Sequence, residues 1–216
     1  MSRFLVRAVL AACLVGIVEP AAWADPPKIT DVAPFGVKRG EAAEVAVTGA
    51  HLGGNPRLIA AFPFQVEALP PERSKAEVWA FRLTVPATVA EGVYPIRVQT
   101  DDGVSNPFLF AVGQLPQVAE KEDNNTFETA QAVPAPPLVI EGRAAGNDVD
   151  YFKFAGKKGW KIVVDAQCAR LGSGVDPSIR LTTASASRRF IASADDTPGL
   201  LTDARLIAEL PEDADY

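Results

Sequence analysis

Histidine and cysteine are nearly absent from this chain of 216 residues, which holds one of the first (His51) and two of the second (Cys13 and Cys168). A lone histidine with no cysteine partners cannot make a four-ligand zinc site. A Ser-His-Asp triad would have to recruit His51 itself, which follows Gly49-Ala50 in an expected loop. With Cys13 in the N-terminal segment, Cys168 has no partner, so no disulfide framework is available. Long apolar runs are missing too. The longest, Ala8 to Val18, is shorter than the roughly 20 residues a membrane-crossing helix needs. Positive charge is in deficit, with 21 Lys and Arg against 27 Asp and Glu. That balance speaks against nucleic acid or an anionic membrane surface as partner. Nothing in the spacing places two carboxylates across a cleft, as glycoside hydrolysis requires. We therefore expect no catalytic function in this chain.

The N-terminus reads as an export signal. Arg3 and Arg7 precede the apolar run, and Ala22-Trp23-Ala24 has the form of a cleavage site before Asp25. Leu10-Ala11-Ala12-Cys13 has lipoprotein-signal form, but apolar residues continue past Cys13, where such a signal would end. Loss of residues 1–24 removes Arg3, Arg7 and Glu19 and takes the net charge from −6 to −7. The expected location is secreted, periplasmic or cell surface.

After residue 25 the chain carries no convincing helical period. Short alternating apolar runs are separated by Gly, Pro, Asn and Asp, and the expected class is all-β. Val78 to Val85 is the strongest run, with Trp79, Phe81, Leu83 and Val85 on one face. Tyr94, Ile96 and Val98 alternate next, and Asp101-Asp102-Gly103 signals a hairpin. We place a first module at 27–113, a linker at 114–119, and a second module at 120–216. In the second, Trp160, Ile162, Val164, Ala166 and Cys168 share one face of a long expected strand. Cys168 reads there as a small buried apolar residue. Trp79, Trp160, Tyr94 and Tyr151 alternate with apolar neighbours and are expected in cores rather than on a binding face.

The first module resembles the immunoglobulin-like IPT/TIG family. The resemblance is carried by Pro27-Lys28-Ile29-Thr30-Asp31-Val32-Ala33-Pro34, Gly40, Val45-Ala46-Val47-Thr48-Gly49, Gly92-Val93-Tyr94-Pro95-Ile96-Arg97-Val98 and Gly103-Val104-Ser105-Asn106. It implies a spacer or interaction domain. The second module is similar to the bacterial pre-peptidase C-terminal domain. There the matching residues are Glu120-x-Glu122-x-Asn124-Asn125-Thr126, Asp148-x-Asp150-Tyr151-Phe152-x-Phe154, Gly159, Leu171-Gly172-Ser173, Asp176-Pro177, Asp195-Asp196 and Leu210-Pro211 leading to Tyr216. This implies a jelly-roll-like β-sandwich of secreted proteins, often beside a peptidase domain. The family continues in a further strand from the tyrosine, so the chain is expected to be a fragment with an open edge.

The same segments hold the densest oxygen donors. Side chains two apart share a face in extended chain, so Glu120, Glu122 and Asn124 line up, as do Asp148 and Asp150. Calcium takes six to eight oxygens with flexible geometry. The resemblance points to the same ligands: Glu120, Glu122, Asn124, Asn125, Asp148 and Asp150. The alternative is a solvated acidic linker whose asparagines make turns. Asp195-Asp196 with Gly199 and Asp203 is a weaker second candidate. The functional expectation is a non-catalytic extracellular binding or targeting module, calcium-stabilised, for protein or polysaccharide. The alternatives are the accessory region of a secreted peptidase and a structural spacer in a surface assembly.

Overall fold

The computed structural model describes residues 25–216 except 71, 72, 74–76, 145 and 147; the expected export signal, residues 1–24, lies outside the described residues. The chain is all-β, as its two-residue periodicity requires. The first module contains β1 (Lys28–Ala33), β2 (Gly36–Lys38), β3 (Ala42–Ala50), β4 (Arg57–Ala60), β5 (Gln65–Ala68), β6 (Val78–Thr84), β7 (Gly92–Thr100), β8 (Gly103–Val104) and β9 (Phe108–Gly113). One sheet runs β1-β3-β6-β5 and the facing sheet β2-β9-β7-β4, with β8 folded back on β7. The core between them is built by the predicted alternation. Phe81, Leu83 and Val85 on or just beyond β6 meet Val45 and Val47 of β3, Ile96 and Val98 of β7, and Phe110 of β9, all 2% exposed or less. Trp79 and Tyr94 pack at the margin of this core.

The hairpin expected at Asp101-Asp102-Gly103 forms, with Thr100 opposite Gly103. The following Asn106 ties the sheets together. Its Oδ1 accepts from Ile29 N at 2.8 Å while its Nδ2 donates to Ile29 O at 3.0 Å, so one amide substitutes for a strand neighbour. Short β2, which pairs parallel with β9, is absent from the sequence reading.

The second module contains β10 (Gln117–Ala119), β11 (Gln131–Ala132), β12 (Val139–Glu141), β13 (Phe152–Lys153), β14 (Ala155–Gly156), β15 (Lys161–Asp165), β16 (Ile179–Thr182), β17 (Phe190–Ala194), β18 (Arg205–Glu209) and β19 (Ala214–Asp215). They pair two by two: β10 with β12 and β11 with β13 in parallel, and β14 with β19, β15 with β18 and β16 with β17 antiparallel. The core is smaller. Ile162, Leu181, Leu206, Leu210 and Tyr216 are buried, with Phe154, Trp160 and Val164 packed against them.

Two boundaries differ from expectation. Residues 117–119 of the expected linker are β10, because their main chain finds a parallel partner in β12. The long strand expected over 160–168 stops at Asp165. The buried carboxylate of Asp203, 0% exposed, collects the N–H groups of Cys168, Ala169 and Arg170 at 2.8, 2.6 and 3.1 Å, and Arg170 Nε at 2.6 Å. Those donors are drawn off the strand, and Ala169–Leu171 winds into a 3-10 turn. Cys168 is therefore the residue before that turn, half-buried, not a strand residue. Burial, with the Asp203 charge beside it, pushes its thiol pKa up.

At the C-terminal end, Tyr216 exchanges two backbone hydrogen bonds with Phe154, at 2.9 and 3.0 Å, and its ring stacks on Phe154 at 6.0 Å. Gly156 permits this: a Cβ there would sit 2.9 Å from the tyrosine ring.

Burial alone would raise the Asp203 carboxyl, but Arg170 and the three N–H groups outweigh it and hold the pKa below its ordinary value. Asp203→Ala leaves Arg170 and three backbone donors short of a partner, and is expected to cost about 3 kcal/mol in urea unfolding of the second module. Asp165 is opposed by burial in the same way, but Arg170, Arg205 and Gln167 hold its pKa down to about 2. A carboxyl lowered on folding stabilises above its unfolded pKa and ceases to do so as pH falls through the folded value. Stability is therefore expected to drop between about pH 4 and pH 2, and an Asp165→Asn variant should show a smaller drop in an acid titration followed by circular dichroism, Asp203 supplying the remainder.

Candidate metal centre

The acidic segment leaves β10 and turns beneath the loop that enters β13. Glu120 is fixed from three sides. Its N–H donates to Glu141 O at 2.8 Å, continuing the β10–β12 ladder. Its Oε1 accepts from Asn124 Nδ2 at 3.0 Å, and its Oε2 accepts from Arg143 N at 2.9 Å. Gly142 makes this approach possible, because a Cβ there would lie 2.7 Å from Glu120 Cδ. Asn124 is 0% exposed, and its O accepts from Tyr151 N at 2.9 Å, which draws Asp150 toward the cluster.

Glu120, Glu122 and Asp150 each bring one carboxylate oxygen to within 4.8 Å of the others. Two oxygens on opposite sides of one calcium ion lie about 4.6–5.2 Å apart, since each bond is about 2.3–2.6 Å. Separations of up to 4.8 Å leave room for a cation among these carboxylates. Within the same cluster, Asn124 Oδ1 and Asp150 Oδ1 are buried and have no hydrogen-bond partner among the described residues. Buried polar atoms are nearly always satisfied, so these oxygens are open to a water or a cation. The donor set is all oxygen, which suits calcium or magnesium and not zinc.

The electrostatics agree with the geometry. Asp150 is pushed up to about 6, first by burial and then by the charges of Glu120, Asp148 and Glu122. The Glu122 pKa is also raised, by loss of water around its carboxyl and by Glu120, Asp148 and Asp123.

Of the six residues singled out in the sequence, Glu120, Glu122, Asn124 and Asp150 come together. Asp148 is half-buried nearby; its charge reaches the cluster, but its Oδ1 accepts from Val149 N at 3.1 Å and it lies outside the close group. Asn125 is exposed, and no hydrogen bond ties it to the cluster, so it is not brought into the site. Asp203 does not join Asp195 and Asp196; it is buried against Arg170, and the exposed neighbour of that pair is Asp176. Tyr151, expected in a core, is 36% exposed. His51 sits on an exposed turn with φ of 56°.

The cluster adjoins the first module. A cavity of about 230 Å³ is lined by Phe35, Glu120, Glu122, Glu141, Gly142 and Arg143. Across it, Phe35 N donates to Glu141 Oε1 at 2.6 Å, and Arg143 pairs with Asp31 at 2.6 Å while its guanidinium lies 5.2 Å from the Phe35 ring centre. Burial pushes the Glu141 pKa up, and the Phe35 N–H and Arg143 offset part of this. Sequence reading did not reach Phe35, Asp31, Glu141 or Arg143 as a group, because 106 positions separate Phe35 from Glu141 and no local pattern connects them.

No protein-family model matches the chain, and no curated protein matches it. Among solved structures it is similar to γ-CGTase from alkalophilic Bacillus clarkii, at 23% identity with a TM-score of 0.32. That match covers 50% of this chain and 16% of the other, and a likeness so slight carries no argument.

A carboxyl whose pKa rises on folding stabilises below its unfolded pKa and loses that contribution as pH rises through the folded value. For Asp150 the window runs from the ordinary 3.8 to about 6. In EDTA the melting temperature is therefore expected to fall as pH is raised across that window. In excess calcium the fall should vanish, because the ion takes over the compensation that the proton provided. Parallel melts at the two ends of the window check this.

Proposed function

We propose that this chain is a non-catalytic binding or targeting part of a secreted or cell-envelope protein, with calcium bracing the joint between its two modules. The observation that supports the calcium reading best is the pair of orphaned buried oxygens, on Asn124 and Asp150, beside three converging carboxylates. Glu120 is the residue that would transmit the effect. It belongs to the cluster, and its other oxygen holds the backbone of Arg143, which pairs with Asp31 of the first module. A cation drawn to Glu120 would stiffen that connection.

The export reading rests on Arg3, Arg7, the apolar run and Ala22-Trp23-Ala24. The family readings, IPT/TIG for the first module and pre-peptidase C-terminal for the second, rest on the motifs quoted from the sequence. In that setting the ligand class is an extracellular protein or polysaccharide. The single histidine, exposed on a turn, favours a part that holds or presents over one that catalyses.

A ligand bound only by the folded state adds roughly 2.7 kcal/mol at a hundredfold excess over its dissociation constant. Calcium is therefore expected to raise the melting temperature by several degrees over EDTA. Glu122→Ala and Asp150→Ala should each abolish the rise. Identical curves with calcium and EDTA would reduce the cluster to a solvated acidic loop.

A further inference from the structure

The outer edge of β15 has no strand partner among the described residues, because β15 pairs only with β18. Which main-chain groups face that edge follows from the bonds at either end of the pair. Leu210 N donates to Trp160 O, and Ala166 N donates to Ala204 O, so the even-numbered residues of β15 bond to β18. The N–H and C=O groups of Lys161, Val163 and Asp165 therefore point outward, away from β18. Beside the Lys161 end lies a cavity of about 390 Å³ bordered by Pro136 and Pro137. Proline has no N–H to donate, so this stretch of chain is a poor partner for the ladder.

The side chains of the same residues form an ordered pattern on the solvent face. Lys161 stands opposite Glu209, Val163 opposite Ile207, and Asp165 opposite Arg205. Val163 is 60% exposed and Ile207 68%. Asp165 and Arg205 are already paired at 3.0 Å.

We propose that the β15 edge is an interface for a second copy of this chain, paired antiparallel about a two-fold axis at Val163. In that register Val163 faces its own counterpart, and Lys161 of each copy faces Asp165 of the other. The outward main-chain groups of 161, 163 and 165 on both copies then all find partners. The two ribbons join into one four-stranded sheet. Its middle row reads Ile207, Val163, Val163, Ile207. The flanking row reads Arg205, Asp165, Lys161, Glu209, alternating in sign at every step, and the other flank is its symmetric mate. Opposite charges and apolar pairs directly across strands favour a register, and like charges oppose it. A two-fold contact must be self-complementary in this way. A one-residue slip would set apolar residues against charged ones.

The test is sedimentation velocity on the purified chain over a concentration series. A reversible dimer is expected for the unaltered chain. Only across the two-fold axis does position 163 meet itself. Val163→Lys and Val163→Glu, each alone, are therefore expected to raise the dimer dissociation constant at least about tenfold by placing like charges together. An equimolar mixture of the two variants is expected to restore a dimer, now mixed. That recovery also shows that both variants fold. A chain that stays monomeric at every concentration overturns the proposal, as does a dimer untouched by both substitutions. Loss of the dimer in each variant without recovery in the mixture also overturns it, since the contact would not then be centred on Val163.

Discussion

Carboxylates crowded into a partly dry place repel one another more strongly than they would in water, and this repulsion shapes the middle of the molecule. Glu120 cannot move away from it. Asn124 holds one of its oxygens, Arg143 the other, and Glu141 its main-chain N–H. The raised pKa of Asp150 and of Glu122 is the electrical signature of that confinement. A proton on Asp150 relieves part of that repulsion. Glu120 also anchors the backbone of Arg143, whose side chain meets Asp31 and Phe35 of the first module.

The two modules reach stability by different routes. The first buries large side chains, Phe81, Phe110, Leu83 and Ile96, between two facing sheets. The second has a smaller apolar core and two-stranded pieces in place of full sheets. It leans on polar fastenings: Asp203 with Arg170 and three backbone donors, and Asp165 held by Arg170 and Arg205. Polar fastenings are strong while every group is satisfied and fail together when one is removed. Apolar packing degrades more gradually.

Much of the fold could be read in the sequence because period-two alternation and turn residues are local signals. β6, β7 and the turn at Asp101-Asp102 stand where those signals put them. Spacing by two marks Glu120, Glu122 and Asn124 as neighbours, but Asp150 joins them through the non-local bond from Tyr151 N to Asn124 O. What could not be read has non-local causes. β10 and β2 are three residues each, too short to show a period, and exist because a parallel partner happens to lie beside them. The end of β15 at Asp165 is set by a carboxylate 38 positions downstream that takes the N–H groups of the following turn. In sequence Asp203 reads as a candidate ion ligand beside Asp195-Asp196, because nothing local shows its distant partners. Asn125 is exposed, as the same alternation turns it away from its neighbours.

The parallel pairing of β10 with β12 also sets how the chain would carry load. Tension arriving from the first module enters the second along β10. Its three-residue ladder with β12 lies along the pull, so its hydrogen bonds would be loaded together in shear and not opened one by one like a zipper. The tether begins at Gln117, immediately before the acidic cluster that starts at Glu120. An ion gripping that cluster would act as a rivet at the point where the strain first arrives.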